Sequence, residues 1–425
     1  MKWLLRALIG AGVVLAGLAA LVAWLNLRGE ESIPPDASPA SFVSSPELVK
    51  RGEYVARAGD CTACHTARGG APFAGGRAIL TPFGTMFSSN LTPDEKTGLG
   101  RWSSQHFWRA MHNGRSMDGR LLYPAFPYPN YTQITRQDSD ALFAYLRSLP
   151  PVEQPATPHQ LRFPYNTQLA LAAWRAMFFE PEPFKEDPAQ NAAWNRGAYL
   201  VRGLGHCNAC HGERNVFGAT SESLEFSGGL IPMQNWYAPS LASSAEAGVA
   251  DWESAHVVAL LKSGTSPRGV VMGPMAEVVY RSTQYLSDED LNAVATFLKG
   301  LPQTPPPAKP RKPIEYDPAQ MQAGERVYGK HCAGCHGDSG EGVARAYPAL
   351  AGNRSVTMAS PANLIRIVLN GGFLPATASN PRPYGMPPFL QTLDDVEVAA
   401  VATYLRGSWG NEAKPVEPVD VLRLR

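Results

Sequence analysis

One five-residue phrase occurs three times and uses every cysteine in the chain. It reads Cys61-Thr-Ala-Cys64-His65, Cys207-Asn-Ala-Cys210-His211 and Cys332-Ala-Gly-Cys335-His336. C-x-x-C-H is the attachment signature of a c-type haem. Each thiol adds across a vinyl group of the porphyrin, and the adjacent imidazole reaches the iron from one side. One tight turn must therefore present two sulfurs to the ring edge and a nitrogen to its centre. The phrase predicts three covalently bound haem c groups and leaves none of the 6 cysteines for a disulfide. Zinc held by the Cys-x-x-Cys pairs would leave the shared surroundings of the three copies unexplained. A thioredoxin-like redox motif needs a βαβ setting, and the sequence shows none.

Those surroundings keep one order, which makes an internal repeat. A glycine and a tyrosine in a short helical pattern come first: Gly52 and Tyr54, Gly197 and Tyr199, Gly324 and Tyr328. The cysteine phrase follows. A middle helix is expected next, opened by Trp102 and running to about Met111, opened by Trp252, and spanning about Pro361 to Leu369. Then come the loops Tyr123-Pro-Ala-Phe126-Pro-Tyr128, Gly273-Pro-Met275-Ala and Gly385-Met386-Pro-Pro. Each unit closes on a helix reading Ala141-Leu-Phe-Ala-Tyr145-Leu, Ala293-Val-Ala-Thr-Phe297-Leu or Ala400-Val-Ala-Thr-Tyr404-Leu. Thr135 with Asp138, Ser287 with Asp290, and Asp394 mark the starts of these helices, the first in the manner of a capping box. Glycine in the first helix lets it cross the last one closely, with haem filling most of each core.

The histidines His65, His211 and His336 supply one face of each iron. Methionine commonly supplies the other in electron-transfer haems and raises the potential. Met275 lies in the loop before the Ser287 cap and Met386 in the loop before Asp394, so both are expected iron ligands, with Met272 a weaker competitor for the second. The first unit has Phe126 at this place, and phenylalanine cannot ligate iron. Met117 is the first substitute, ahead of Met86, Met111 and His112; otherwise the sixth position is open. His206 and His331 precede a haem cysteine and would face the wrong side of the turn. His106, His159 and His256 read as surface or packing residues.

The N-terminus is a targeting segment. Lys2 and Arg6 precede an apolar run from about Ala7 to Leu27, closed by Arg28, Glu30 and Glu31. A cleaved signal has an apolar core of roughly 7–15 residues. This run is nearer the ~20 that span a bilayer, which favours an uncleaved anchor. A long signal cleaved near Ala19, Ala20 or Ala23 is the alternative. Either way the remainder is exported, and in bacteria haem c is attached outside the cytoplasmic membrane. A net charge of +1 excludes a strongly basic nucleic-acid binder.

The expected order is a mainly α chain. It has an anchor at 1–28, a stalk at 29–45, a first haem domain at 46–150, a linker at 151–190, a second domain at 191–301, a Pro-rich spacer at 302–318, a third domain at 319–410 and an irregular tail at 411–425. The linker carries the apolar stretch Leu169-Ala-Leu-Ala-Ala-Trp174-Arg-Ala-Met177-Phe178-Phe179. It reads as a helix packed between domains, or else as a membrane-surface or partner-binding helix. Seven prolines make the 302–318 spacer a stiff, extended one.

The helix–CxxCH–helix–Met-loop–helix order resembles class I cytochrome c, three times in tandem. The whole chain resembles the three-haem cytochrome c subunits of membrane-bound bacterial dehydrogenases. Matching stretches are Arg51-Gly-Glu-Tyr-Val-Ala, Thr81-Pro-Phe-Gly-Thr, Asn90-Leu-Thr-Pro-Asp, Ser282-Thr-Gln-Tyr-Leu, Pro348-Ala-Leu-Ala-Gly-Asn353 and Trp409-Gly-Asn411. The resemblance implies an electron-transfer subunit that is not an enzyme on its own. It would take electrons from a catalytic subunit to ubiquinone or a terminal oxidase of the respiratory chain, with its haem domains in the periplasm and its anchor in the inner membrane. The catalytic partner in such families is a quinoprotein, a flavoprotein, or a molybdopterin enzyme with an iron–sulfur subunit. Phe126 resembles the molybdopterin-linked branch. A multihaem peroxidase using an open first haem, and a cytochrome subunit of a terminal oxidase, are the competing functions.

Overall fold

The computed structural model describes residues 1–34, 37–220, 222–304, 313–344 and 346–425. Residues 305–312 of the expected Pro-rich spacer and residues 35–36 of the expected stalk lie outside this set. The chain divides into two compact units, the first formed by Met1–Lys185 with Arg202–His206 and Val216–Ala219, the second by the remaining residues from Glu186 onward.

The first unit begins with α1 (Lys2–Leu27), which is long and apolar enough to cross a membrane. There follow α2 (Pro46–Ala58), α3 (Cys61–His65), β1 (Ala78–Thr81), β2 (Gly84–Phe87), α4 (Ser104–Asn113), α5 (Tyr128–Tyr131), α6 (Arg136–Ser148), β3 (Gln160–Leu161) and α7 (Gln168–Phe178). Local chemistry explains the ends. The Ser45 hydroxyl accepts from the Leu48 amide, and Pro46 sits at the first helical position of α2, where its missing N–H costs nothing. Thr135 caps α6 by accepting from the Asp138 amide at 3.1 Å. The two helices cross at Gly52, where an added Cβ would stand 2.7 Å from the Tyr145 Cβ and closer still to the Ala141 carbonyl. Around the crossing Val55, Phe107, Leu142, Phe143 and Leu146 are buried. The three strands form one antiparallel sheet in the order β1-β2-β3, with Ile79 opposite Met86 and Thr85 opposite Gln160.

The second unit contains two further crossings of the same kind. Its elements are α8 (Ala192–Ala198), α9 (Asn208–His211), β4 (Gly229–Ile231), β5 (Trp236–Ala238), α10 (Ser254–Ser263), β6 (Thr265–Ser266), β7 (Gly269–Val270), α11 (Pro274–Arg281) and α12 (Asp288–Lys299). Then come α13 (Pro318–His331), α14 (Ala333–His336), α15 (Arg354–Thr357), α16 (Ala362–Asn370), β8 (Gly372–Phe373), β9 (Gly385–Met386), α17 (Asp395–Gly407) and α18 (Pro418–Leu422). Helix α8 crosses α12 at Gly197, whose added Cβ would lie 2.7 Å from the Phe297 Cβ. Helix α13 crosses α17 at Gly324, 2.6 Å from the Tyr404 Cβ. All three expected glycine crossings are therefore present.

Four expectations change. Helix α4 starts at Ser104 behind the Ser103 cap, and α10 at Ser254 behind Glu253, so neither Trp102 nor Trp252 opens its helix. Met275 lies in the first turn of α11 and not in a loop, because Pro274 takes the first helical position. The 411–425 tail is ordered: α18 folds back on the α13/α17 core, burying Val416 and Val421 completely, and Gln320 Nε2 donates to the Val416 carbonyl at 2.9 Å. Helix α7 lies within the first unit and packs on α1.

Candidate functional site

Each cysteine phrase folds as a short helical turn, α3, α9 or α14, directly behind the glycine-bearing helix. None of the six cysteines is in a disulfide; Cys64, Cys210 and Cys335 are exposed and Cys61, Cys207 and Cys332 half-buried. Burial pushes the thiols of Cys61 and Cys207 up to about 12 and that of Cys332 to about 11, each aided by its neighbouring cysteine.

The histidines are held alike. Nδ1 of His65 lies 2.7 Å from the Ser89 carbonyl oxygen, Nδ1 of His211 2.7 Å from that of Pro239, and Nδ1 of His336 2.9 Å from that of Pro348. A carbonyl oxygen only accepts, so Nδ1 carries the proton in each ring. The Nε2 lone pair is then left for a metal, and the outer bond fixes ring orientation and raises basicity. Burial is the larger influence on all three imidazoles and holds them below the ordinary histidine range, with the carbonyl opposing it. The rings are thus neutral, as a metal ligand must be.

A second layer of main-chain bonds fixes the loop that supplies each carbonyl. Amides of Gly75, Gly228 and Gly342 donate to the carbonyls of His65, His211 and His336 at 2.8, 2.7 and 2.8 Å. Amides of Leu91, Leu241 and Leu350 donate to the carbonyls of Phe73, Phe226 and Gly340 at 2.8, 2.9 and 2.7 Å. Phe73 and Phe226 adopt φ of 60° and 57°, a conformation that costs a bulky residue energy. Both rings are buried against the last helix, 5.9 Å from Tyr145 and 6.2 Å from Phe297. At the third site Gly340 takes this place, because the Trp409 ring fills the volume, 2.6 Å from where a Cβ would be.

The structure does not group the expected methionines on one element type. Met275 is half-buried in the first turn of α11. Met386 is in β9, opposite Gly372 of β8, and packs against the third core. The Cε of Met272 lies 3.4 Å from a Cβ placed on Gly372 of β8. In the first unit the Phe126 ring lies tilted against Tyr131, centroids 5.5 Å apart, and the Tyr131 hydroxyl donates to the Gly59 carbonyl, two residues ahead of Cys61. Met117 is half-buried, and its carbonyl accepts from Arg109 Nη2 at 3.1 Å. Met86 and Met111 are buried.

The remaining histidines have structural partners. His106 completes the capping box of α4, and His112 stacks on Trp108 with ring centroids 4.5 Å apart. His159 Nδ1 accepts from the Phe87 amide, His206 faces the Gly59 carbonyl, His256 lies 3.9 Å from Glu253, and the His331 ring meets Phe389 edge-on. Sequence reasoning missed Ser89, Pro239 and Pro348. The usable signal was a leucine two residues after each, in Ser89-Asn-Leu, Pro239-Ser-Leu and Pro348-Ala-Leu. It also missed Arg51 and Arg196, which precede the crossing glycines and bind Asp138 and Asp290.

The donor set fits haem c: two thiols on one helical turn, a neutral imidazole with Nε2 free, and an adjoining apolar core. The comparisons agree. The cytochrome c family profile matches residues 49–150 and 321–409. The chain is 40% identical over 410 residues to the cytochrome c subunit of the quinone-type alcohol dehydrogenase of Komagataeibacter europaeus, covering 92% of this chain and 85% of that one. It is 37% identical over 410 residues to the gluconate 2-dehydrogenase cytochrome c subunit of Pantoea cypripedii, covering 92% of each. It is 41% identical over 409 residues to one of the nicotinate dehydrogenase subunits of Pseudomonas putida, spanning 95% of this chain and 34% of that longer protein.

Proposed function

The chain belongs to the dehydrogenase cytochrome c subunits, electron carriers with the capacity to bind haem c covalently, and from that premise we propose that it carries three haems. The observation that carries this reading is the threefold recurrence of an imidazole turned by a backbone carbonyl beside two thiols. Cys61 and Cys64, Cys207 and Cys210, and Cys332 and Cys335 would form the thioethers. His65, His211 and His336 would supply one axial nitrogen each. Met275 and Met386 would supply the opposite ligand at the second and third irons, whereas Phe126 leaves the first without a methionine there. The corresponding domains would be 46–150, 191–301 and 319–410.

Haem c, when bound, supplies one-electron redox chemistry. This chain's residues bind it, fix the proximal rings and exclude water with the Gly52, Gly197 and Gly324 crossings. In the family the donor is a catalytic dehydrogenase subunit. We infer that here it is of the molybdopterin and iron–sulfur type, on the strength of Phe126, with ubiquinone or the respiratory chain as acceptor. Helix α1 would anchor the chain in the inner membrane with the haem domains in the periplasm. The haem-to-chain ratio of the purified protein, from the alkaline pyridine spectrum and the intact mass, tests the count. A ratio of three is expected, and two or fewer overturns it. Identification of the co-purifying subunits tests the partner: a quinoprotein or flavoprotein in place of a molybdopterin enzyme overturns that branch.

A further inference from the structure

Helix α7 is apolar on both faces and buries its one charged residue, which is unusual for a helix facing water. Leu171, Arg175 and Phe179 lie one turn apart along its stripe and are buried. The opposite stripe, Leu169, Ala173 and Met177, is exposed, with Leu169 at 78% and Met177 at 61%. An ordinary surface helix places its charge outward and its leucines inward. Here the guanidinium is inside with Leu171, between the rings of Tyr128 and Phe179 at 5.1 and 4.7 Å, and the outward stripe is aliphatic and carries no charge. Phe163, just ahead of α7, is also largely exposed.

The buried side of α7 shows where in space this apolar stripe lies. Arg175 Nε donates to Asn26 Oδ1 at 2.9 Å, Asn26 Nδ2 donates to the Ala172 carbonyl at 3.0 Å, and Arg28 Nη2 donates to the Phe179 carbonyl at 2.8 Å. These bonds fasten α7 to the last turn of α1. Helix α1 carries exposed tryptophans near both ends, Trp3 and Trp24. At ~1.5 Å per residue they are separated by about the ~30 Å thickness of a hydrocarbon core. Tryptophan favours the two membrane–water boundaries, so Trp24 marks the level of one boundary, and α7 is bonded to α1 within a turn of it.

We propose that α7 is a second membrane contact, lying in the lipid headgroup and upper acyl region beside α1 with the Leu169–Ala173–Met177 stripe turned into lipid. An interfacial helix buries its apolar face by about 5–10 Å into that boundary. The unusual polarity of α7 follows: Arg175 is needed to hold Asn26, and lipid covers the other side. The contact rests on the reading of α1 as a retained anchor. It would fix the tilt of the first unit over the bilayer, which a single helix cannot do.

The test uses the full-length, haem-loaded chain in vesicles of phosphatidylethanolamine and phosphatidylglycerol containing a lipid with a diazirine in its upper acyl chain. After illumination, lipid adducts are mapped by peptide mass spectrometry. Adducts on α1 and on Leu169 and Met177 are expected, and the Leu169→Glu/Met177→Glu double variant should lose those on α7 several-fold while keeping those on α1 and its haem content. Adducts on α1 with none between 163 and 178 overturn the second contact and leave the anchor standing. Adducts on neither overturn the anchor reading itself. In the assembled complex, cross-linking of Leu169 to the catalytic subunit in place of lipid also overturns the proposal.

Discussion

Arg196 grips Asp290 through two parallel hydrogen bonds, Nε to Oδ1 at 2.7 Å and Nη2 to Oδ2 at 2.8 Å. Arg51 holds Asp138 in the same way, at 2.8 and 3.0 Å. In each case the arginine directly precedes the crossing glycine, and the aspartate is the third residue of the last helix, behind its cap. The clamp therefore sets the rotation of one helix on the other where they approach most closely. The third crossing has Ala323 before Gly324, and there Gln320 secures the C-terminal tail to α13 through the Val416 carbonyl. Replacing Arg196 with Gln strands a largely buried carboxylate. A loss of about 2 kcal/mol is expected, between the values for exposed and buried pairs. Urea unfolding of the haem-loaded protein measures it, and an unchanged midpoint would remove the clamp from the account.

Gly197→Ala should be worse than its single methyl implies. The new Cβ would stand 2.7 Å from the Phe297 Cβ and nearer still to the Ala293 carbonyl. Neither atom can withdraw without parting α8 from α12. Overpacking of this kind costs about 1–3 kcal/mol or more. The expected result is a lower melting temperature with reduced haem incorporation, and Gly324→Ala should behave alike. Gly334→Ala is the control, since nothing lies within 4 Å of a Cβ there. Equal melting temperatures for Gly197→Ala and Gly334→Ala would refute the tight crossing.

Those crossings were legible in the sequence, because a glycine stands in the helical pattern just ahead of each of the three C-x-x-C-H phrases. So were the caps Thr135, Ser287 and Asp394, each confirmed by a bond to the amide three residues on. Local signals of this kind depend on neighbours within one helical turn. What escaped depends on distant or side-chain-free partners. The proximal carbonyls are main-chain atoms, which any residue can offer. The Arg196–Asp290 clamp joins residues 94 positions apart. Helix α18 has five residues, too few to show a period. Two-residue strands such as β8 and β9 have no alternation to read. For α11 the signal was present and misread, since Gly-Pro-Met is also how a helix can begin.

The proposed methionine ligation predicts an asymmetry among the three proposed centres. Met386→Leu and Met275→Leu should each lower the potential of a single haem, because loss of the thioether removes the ligand that raises it. Each should also abolish one His/Met low-spin signature and leave the other. Phe126→Met should do the reverse at the first centre, raising its potential. Redox titration followed by visible and paramagnetic resonance spectra checks all three. Three equivalent His/Met haems in the unmodified chain would contradict the assignment.

The last turn of α1 should depend on one amide. Asn26 accepts from Arg175 and donates to Ala172, and Arg175 is almost wholly buried. Asn26→Ala removes the acceptor for that guanidinium nitrogen, at a cost of about 1–3 kcal/mol. Limited proteolysis should then cut more readily between 180 and 190, downstream of α7. Arg175→Met, which removes the buried charge together with its unmet need, should restore much of the resistance in the Asn26→Ala background.

The bonds from His65, His211 and His336 to Ser89, Pro239 and Pro348 have a consequence for how such a chain diversifies. The cysteines proposed to attach the porphyrin and the carbonyls that orient the proposed histidine ligands belong to different segments. The first lie in short helical turns, whereas the second lie in loops and move with the loop that carries them. A shift of the backbone by a fraction of an ångström at 89, 239 or 348 alters the strength of one outer bond and so the basicity of one ring. Three repeats of one local arrangement can thereby take three settings without any change in the cysteine phrase.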